Sequence, residues 1–79
     1  MLVLDVYETS RSKFERVLNV LARGYWKTVH DIAHEAGLAV NSAGQILGAL
    51  VRMGLAERRR VYVKRWGHGR MVNAYRLKD

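Results

Sequence analysis

Residues 28–55 read TVHDIAHEAGLAVNSAGQILGALVRMGL. Thr28 followed by Asp31 is a helix-start pattern: the hydroxyl can accept from a free amide of the first turn, and the acid favours the positive end of the helix. Ile32 and Ala33 give this short helix a buried face, and Gly37 follows Ala36 as the left-handed residue that closes it. Leu38 fills the turn. Ala43, Ile46, Leu47 and Leu50 then recur three or four residues apart, the spacing of a second amphipathic helix, which Gly54 ends. Ala39 offers no capping side chain, whereas Ser42 and Gln45 form a capping-box pair. That pair would start the second helix later and commit the Gln45 side chain to the backbone.

Working upstream, Ser12 and Glu15 repeat the capping pattern, and Phe14, Val17, Leu18 and Leu21 recur at helical spacing. Lys13, Arg16, Asn19 and Arg23 face elsewhere. This predicts a first helix from about Lys13 to Arg23, closed by Gly24. Residues 2–7 are apolar with a weak alternation, which fits a short strand, a dimer arm or an early start of the first helix. Tyr25, Trp26 and Lys27 form a connector able to pair with a later strand, the two aromatics serving as core or dimer contacts. Three helices joined by such short turns can share one small core.

Downstream of Gly54 the period falls from about 3.6 to 2. Trp66-Gly67-His68-Gly69-Arg70 interrupts the alternation with two glycines, which predicts a hairpin whose loop is residues 66–70. In that register Val63 faces Asn73, Val61 faces Tyr75 and Arg59 faces Leu77. Val61, Val63, Tyr75 and Leu77 then lie toward the core, and Arg58, Arg60, Lys64, Arg76 and Lys78 lie on the other face.

The chain has 79 residues, enough for one domain near the lower size limit of a self-sufficient core. With 49% hydrophobic and 27% charged residues it is ordinary globular material, not a disordered tail. It has no cysteine to brace so small a core, which makes oligomerisation the expected supplement and fits a reducing cytoplasm. No apolar run reaches the length of a membrane span, and Asp5 cuts short an opening that lacks the basic flank of a signal peptide. The net charge of +7 is unevenly spread. Residues 1–55 hold six Lys/Arg against five Asp/Glu, and residues 56–79 hold eight against two, so the hairpin region carries +6. Such asymmetry points to an anionic partner, whose counterions are released on binding.

A helix, a short connector, two helices about a tight turn and a basic hairpin together resemble the winged helix-turn-helix DNA-binding family, especially its compact one-domain transcriptional regulators. The resemblance rests on Ile32-Ala33-His34-Glu35-Ala36-Gly37-Leu38, on Leu47-Gly48-Ala49-Leu50 leading to Met53-Gly54-Leu55, and on Tyr75-Arg76-Leu77, and it covers residues 12–77. It implies an α+β fold: one winged-helix domain over 1–79, with an N-terminal arm (1–11), the helix-turn-helix (28–54) and the wing (55–78). It also implies double-stranded DNA as partner. The exposed edge of the third helix would then comprise Val40, Asn41, Ser42, Gly44, Gln45 and Gly48. Asn41 and Gln45 are the base-reading candidates, because carboxamides can pair with adenine N6 and N7. Lys27 and Thr28 at the start of the second helix, with Arg58, Arg60 and Lys64 on the hairpin, would meet phosphate. Arg65, Trp66, Gly67, His68, Gly69 and Arg70 would form the wing tip.

The expected reading edge holds no Lys or Arg, so specificity would rest on Asn41, Gln45 and DNA shape. Gly44 and Gly48 each cost about 0.8–1 kcal/mol against alanine within a helix. Close backbone approach to DNA or to a partner helix would explain them; so would tolerated drift. His30 and His34 stand one helical turn apart, as metal-binding histidines do, but no third ligand accompanies them and they read as exposed. No nucleophile–base pair, phosphate-cradling loop or carboxylate pair stands out, so neither an enzyme nor a cofactor or small-molecule substrate is expected. A homodimer seam is expected from Val51, Met53 and the apolar N-terminus. The alternatives are a protein-interaction subunit of a transcription or replication assembly, and RNA binding through the wing.

Overall fold

The computed structural model describes the backbone of residues 2–65 and 67–78 and the side chains of residues 12–64 and 67–78. In chain order the elements are α1 (Leu2–Leu21), β1 (Lys27–Thr28), α2 (Val29–Ala36), α3 (Val40–Arg52), β2 (Ala56–Arg65) and β3 (His68–Leu77). The strands form one antiparallel sheet in the order β1-β3-β2. This is the α+β winged helix-turn-helix arrangement, with the 25–27 connector contributing to the short first strand.

One cluster holds these elements together. Val17, Val20 and Leu21 of α1 meet Ile32 and Ala36 of α2, Leu47 and Leu50 of α3, and Ala56 and Tyr75 of the sheet. Residues 2–7, left open between strand, arm and helix, are helical and make α1 a single helix of 20 residues. Ser12 therefore lies inside that helix instead of capping it, and its hydroxyl accepts from Arg16 Nε at 3.1 Å. The Arg16 guanidinium also donates to the Ala36 carbonyl at 3.2 Å. It thereby satisfies a carbonyl that the end of α2 leaves without a helical partner.

Both ends of α2 follow the expected chemistry. The Thr28 hydroxyl accepts from the Asp31 amide at 3.2 Å, and Gly37 is left-handed (φ 70°). The Leu38 amide reaches back to the Ala33 carbonyl. The start of α3 differs from expectation. Ala39 occupies the N-cap without a side-chain hydrogen bond, and the helix begins at Val40. Ser42 thus falls within the first turn, half-buried, and Gln45 remains exposed.

The hairpin register is corrected by three residues. Arg65 pairs with His68, so the strands meet two residues apart and the loop is not residues 66–70. Only one of the two glycines serves the turn: Gly67 has φ 78°, whereas Gly69 lies in β3, where a Cβ would fall inside the Tyr62 ring. Because strand side chains alternate, an odd shift exchanges faces. Tyr75 and Leu77 keep the core side, but their cross-strand partners are Arg58 and Ala56. Val61 and Val63 move to the outer face with Val72, and Arg76 joins them there, while Arg58, Arg60 and Lys64 share the inner face with Tyr75 and Leu77.

On the outer face, Arg59 and Arg76 lie over the Trp26 ring, 4.2 and 4.7 Å from its centroid. Arg76 also pairs with Glu57 at 3.2 Å. Ala74, on that face, is 2% exposed. Trp26 is therefore a packed residue, whereas Tyr25 is 70% exposed and lies outside the core. Trp26→Ala should lower the unfolding free energy by about 2 kcal/mol through lost aromatic burial, and Arg59→Ala by about 0.5–1 kcal/mol, the range of an exposed cation–π contact. Urea denaturation of both variants checks this; a Trp26→Ala loss no larger than that of Arg59→Ala would refute the anchoring role.

Candidate nucleic-acid interface

The buried side of α3, Ala43, Leu47 and Leu50, points into the core, which leaves the opposite edge free. Asn41 and Gln45 are exposed and one helical turn apart, with Val40 exposed beside them; Ser42, Gly44 and Gly48 are half-buried. A Cβ on Gly44 would come no closer than 4.0 Å to Val29, and one on Gly48 would meet the Arg52 guanidinium at an ordinary 3.5 Å. The fold itself therefore does not require either glycine.

That neighbour of Gly48 is a residue sequence reasoning missed. Arg52 is exposed and follows Gly48 by one turn, and its guanidinium reaches back along the helix toward that glycine. The edge expected to be uncharged thus carries a cation close to its bare backbone. The legible signal was spacing, since Arg52 lies two turns after Gln45 and three after Asn41.

The hairpin distributes its charge over two faces. Arg58, Arg60 and Lys64 are exposed on the inner face, beyond the helices that cover its base. Arg58 sits 5.7 Å from the Tyr75 ring centroid. Between them Tyr62, 65% exposed, faces Met71 across the strands. Arg70 and His68 lie on the outer face, both exposed, as are Gly67 and Gly69. Trp66 and the Arg65 side chain, both expected at the wing tip, lie outside the described residues.

At the start of α2, Thr28 holds the N-cap, which keeps the first-turn amides of the helix oriented together. Lys27 is otherwise engaged. Its ammonium lies 2.8 Å from Glu35, and Arg23 approaches the same carboxylate at 3.5 Å. The Lys27 hydrogen bond chiefly holds the Glu35 carboxyl below its usual pKa, against an opposing desolvation, and the charges of Lys27, Arg23 and His34 add to the lowering. His30 and His34 are exposed, and no group of three or more His, Cys, Asp or Glu among the described residues is placed to hold a metal.

A helix pair about a tight turn, with a polar edge turned outward and a cationic hairpin behind it, defines a winged helix-turn-helix DNA-binding domain. The family model of the IclR helix-turn-helix domain matches residues 13–60, more than half of the chain, and the chain belongs to that family. The matched stretch runs from the second half of α1 through both helix-turn-helix elements into β2. No curated protein matches the chain. Among the described residues no helix is long and apolar enough to cross a membrane. Family membership makes this a DNA-binding domain of the transcriptional-regulator type.

Two outcomes follow from this geometry. Gly44→Ala with Gly48→Ala should raise stability by roughly 1.6–2 kcal/mol, since each added methyl meets only ordinary contacts and alanine is the better helix former. Denaturation of the double variant measures this, and a loss of stability would contradict the open space beside both residues. A depressed carboxyl pKa contributes stability that is complete above the ordinary value of 4.5 and is lost as pH falls through the lower folded value. Glu35→Gln should therefore flatten the fall in stability below pH 4.5 while leaving the shape of the profile above pH 6 unchanged; an unchanged acid limb would dismiss the Lys27–Glu35 pair as a contributor.

Proposed function

We propose that this protein binds double-stranded DNA with sequence preference as a small transcriptional regulator, α3 reading bases and the hairpin supplying most of the affinity. The observation that carries this reading is the alignment of Asn41, Gln45 and Arg52 on the exposed edge of α3. Two carboxamides suited to adenine stand one turn apart, and a guanidinium suited to guanine or phosphate follows two turns further along the same edge. Gly48 leaves the backbone bare between them, which favours close approach to a groove. Arg60 and Lys64, together with Arg58 beside the Tyr75 ring, add a charge that is independent of sequence. The protein acts as a dimer, with Met53 and Leu55 at the seam; both are large, apolar and about half exposed (55% and 49%). Val51, expected there too, instead packs against the core and contributes less.

The test begins with a duplex of about 30 base pairs titrated at several salt concentrations, single-stranded RNA being run alongside. Log K should fall with log salt by about 0.9 per phosphate contacted. Arg58→Ala with Arg60→Ala should weaken every duplex alike and lower that slope by roughly 2. Once a preferred site has been selected from a random library, Gln45→Ala should cost about 1–3 kcal/mol on that site and almost nothing on random DNA. Equal binding to single-stranded RNA would overturn the duplex assignment. A Gln45→Ala effect common to all sequences would remove base reading from α3.

A further inference from the structure

β1 pairs with β3 only at Tyr75 and Ala74 before the chain turns into α2. Beyond those residues the outer half of β3 has no strand on that side, and the first turn of α2 stands there instead. Between the two lies a cleft of about 400 Å³, within the size range of small-molecule sites. Val63 and Val72 supply apolar surface to it. Both belong to the outer face of the hairpin, yet they are only half exposed, because the start of α2 overhangs them.

The remaining walls are polar and uncommitted. Asp31 and His30 come from α2, and Arg70 and His68 from β3. The side chains of these four residues make no hydrogen bond or ion pair with any described residue. A guanidinium and a carboxylate thus line one cleft without neutralising each other. A simple anion would suit Arg70 but be repelled by Asp31. An uncharged molecule would leave both charges, which are exposed to solvent, unanswered and gain nothing from them. The combination fits a ligand with a negative group and a positive group at one end and an apolar body at the other.

We propose that this cleft binds a free α-amino acid with an apolar side chain. Arg70 takes the carboxylate through its forked N–H donors, Asp31 takes the ammonium, and Val63 and Val72 receive the side chain. His30 and His68 line the same cleft beside them. Binding itself does not depend on the DNA reading. Its consequence does: with Arg70 taken as a further phosphate contact at the wing tip, beside those of Arg58, Arg60 and Lys64 on the other face, an amino acid held by Arg70 withdraws that cation and lowers affinity for the duplex.

The experiment is an amide NMR titration of the full chain with L-leucine and L-phenylalanine, with leucinamide and N-acetyl-leucine as probes lacking one charge each. Saturable shifts are expected over residues 28–31 and 68–72, with both single-charge probes at least about tenfold weaker, the cost of one lost charge-assisted hydrogen bond. Arg70→Gln should abolish the preference for leucine over leucinamide, and Asp31→Asn the preference over N-acetyl-leucine. Non-saturable shifts, or equal binding of all four compounds, would overturn the site. Titrating the duplex with and without leucine then separates the two parts. Saturable leucine binding with unchanged duplex affinity would remove the regulatory step and leave the site standing.

Discussion

Leu47 and Leu50 of α3 are buried in the same cluster as Ala56 and Tyr75 of the sheet, and both α3 and the hairpin take their orientation from that contact. A helix has only one buried side, so fixing Leu47 and Leu50 inward fixes Asn41, Gln45 and Arg52 outward. The contact also sets the hairpin. Tyr75 and its neighbour in register, Arg58, must share a face, and with it every second residue as far as the tip. Ala56 matters because it is small: a larger side chain opposite Leu77 would lift the strand from the helices. One apolar contact region thereby decides which cations of the wing lie on the side of the helices and which lie behind.

Much of this was legible in the sequence, and the parts that were not have definite causes. The bounds of α2 follow from Thr28 and Gly37 because each solves a local hydrogen-bonding or conformational problem at a helix end. The face of α3 follows from the spacing of Ala43, Leu47 and Leu50. The start of α3 does not, since Ala39 caps it without any side-chain donor or acceptor, and the turn between α2 and α3 is set by tertiary packing. The hairpin faces were misassigned because Gly67 and Gly69 look alike in one dimension. One supplies a positive φ and the other makes room for the Tyr62 ring. The first half of α1 carried too little period to separate helix from strand. Of the candidate site, Asn41 and Gln45 are exposed as expected, and Lys27 is tied to Glu35, a partner eight residues away that spacing alone did not suggest. Arg52 was overlooked because it stands at the end of the helix, where a basic residue also suits the helix dipole.

Arg16 shows how a surface residue can join elements. Its side chain bonds to Ser12 within α1 and to the Ala36 carbonyl at the end of α2. α1 therefore touches the helix-turn-helix at its turn as well as through the core. The Trp26 stack does the same work on the far side of the sheet, where guanidiniums from β2 and β3 close over an indole from the connector.

The sheet order leaves the outer edge of β2 without a neighbouring strand along ten residues. An unpaired edge of that length is a template for pairing with another copy, and Arg58, Arg59, Arg60 and Lys64 along it act as electrostatic guards against such pairing. Their protection is conditional on their charge being unscreened. A polyanion that neutralises them removes the repulsion between copies at the moment it crowds those copies together. Whether two copies could pair along this edge therefore turns on how far added salt or a bound polyanion screens those cations.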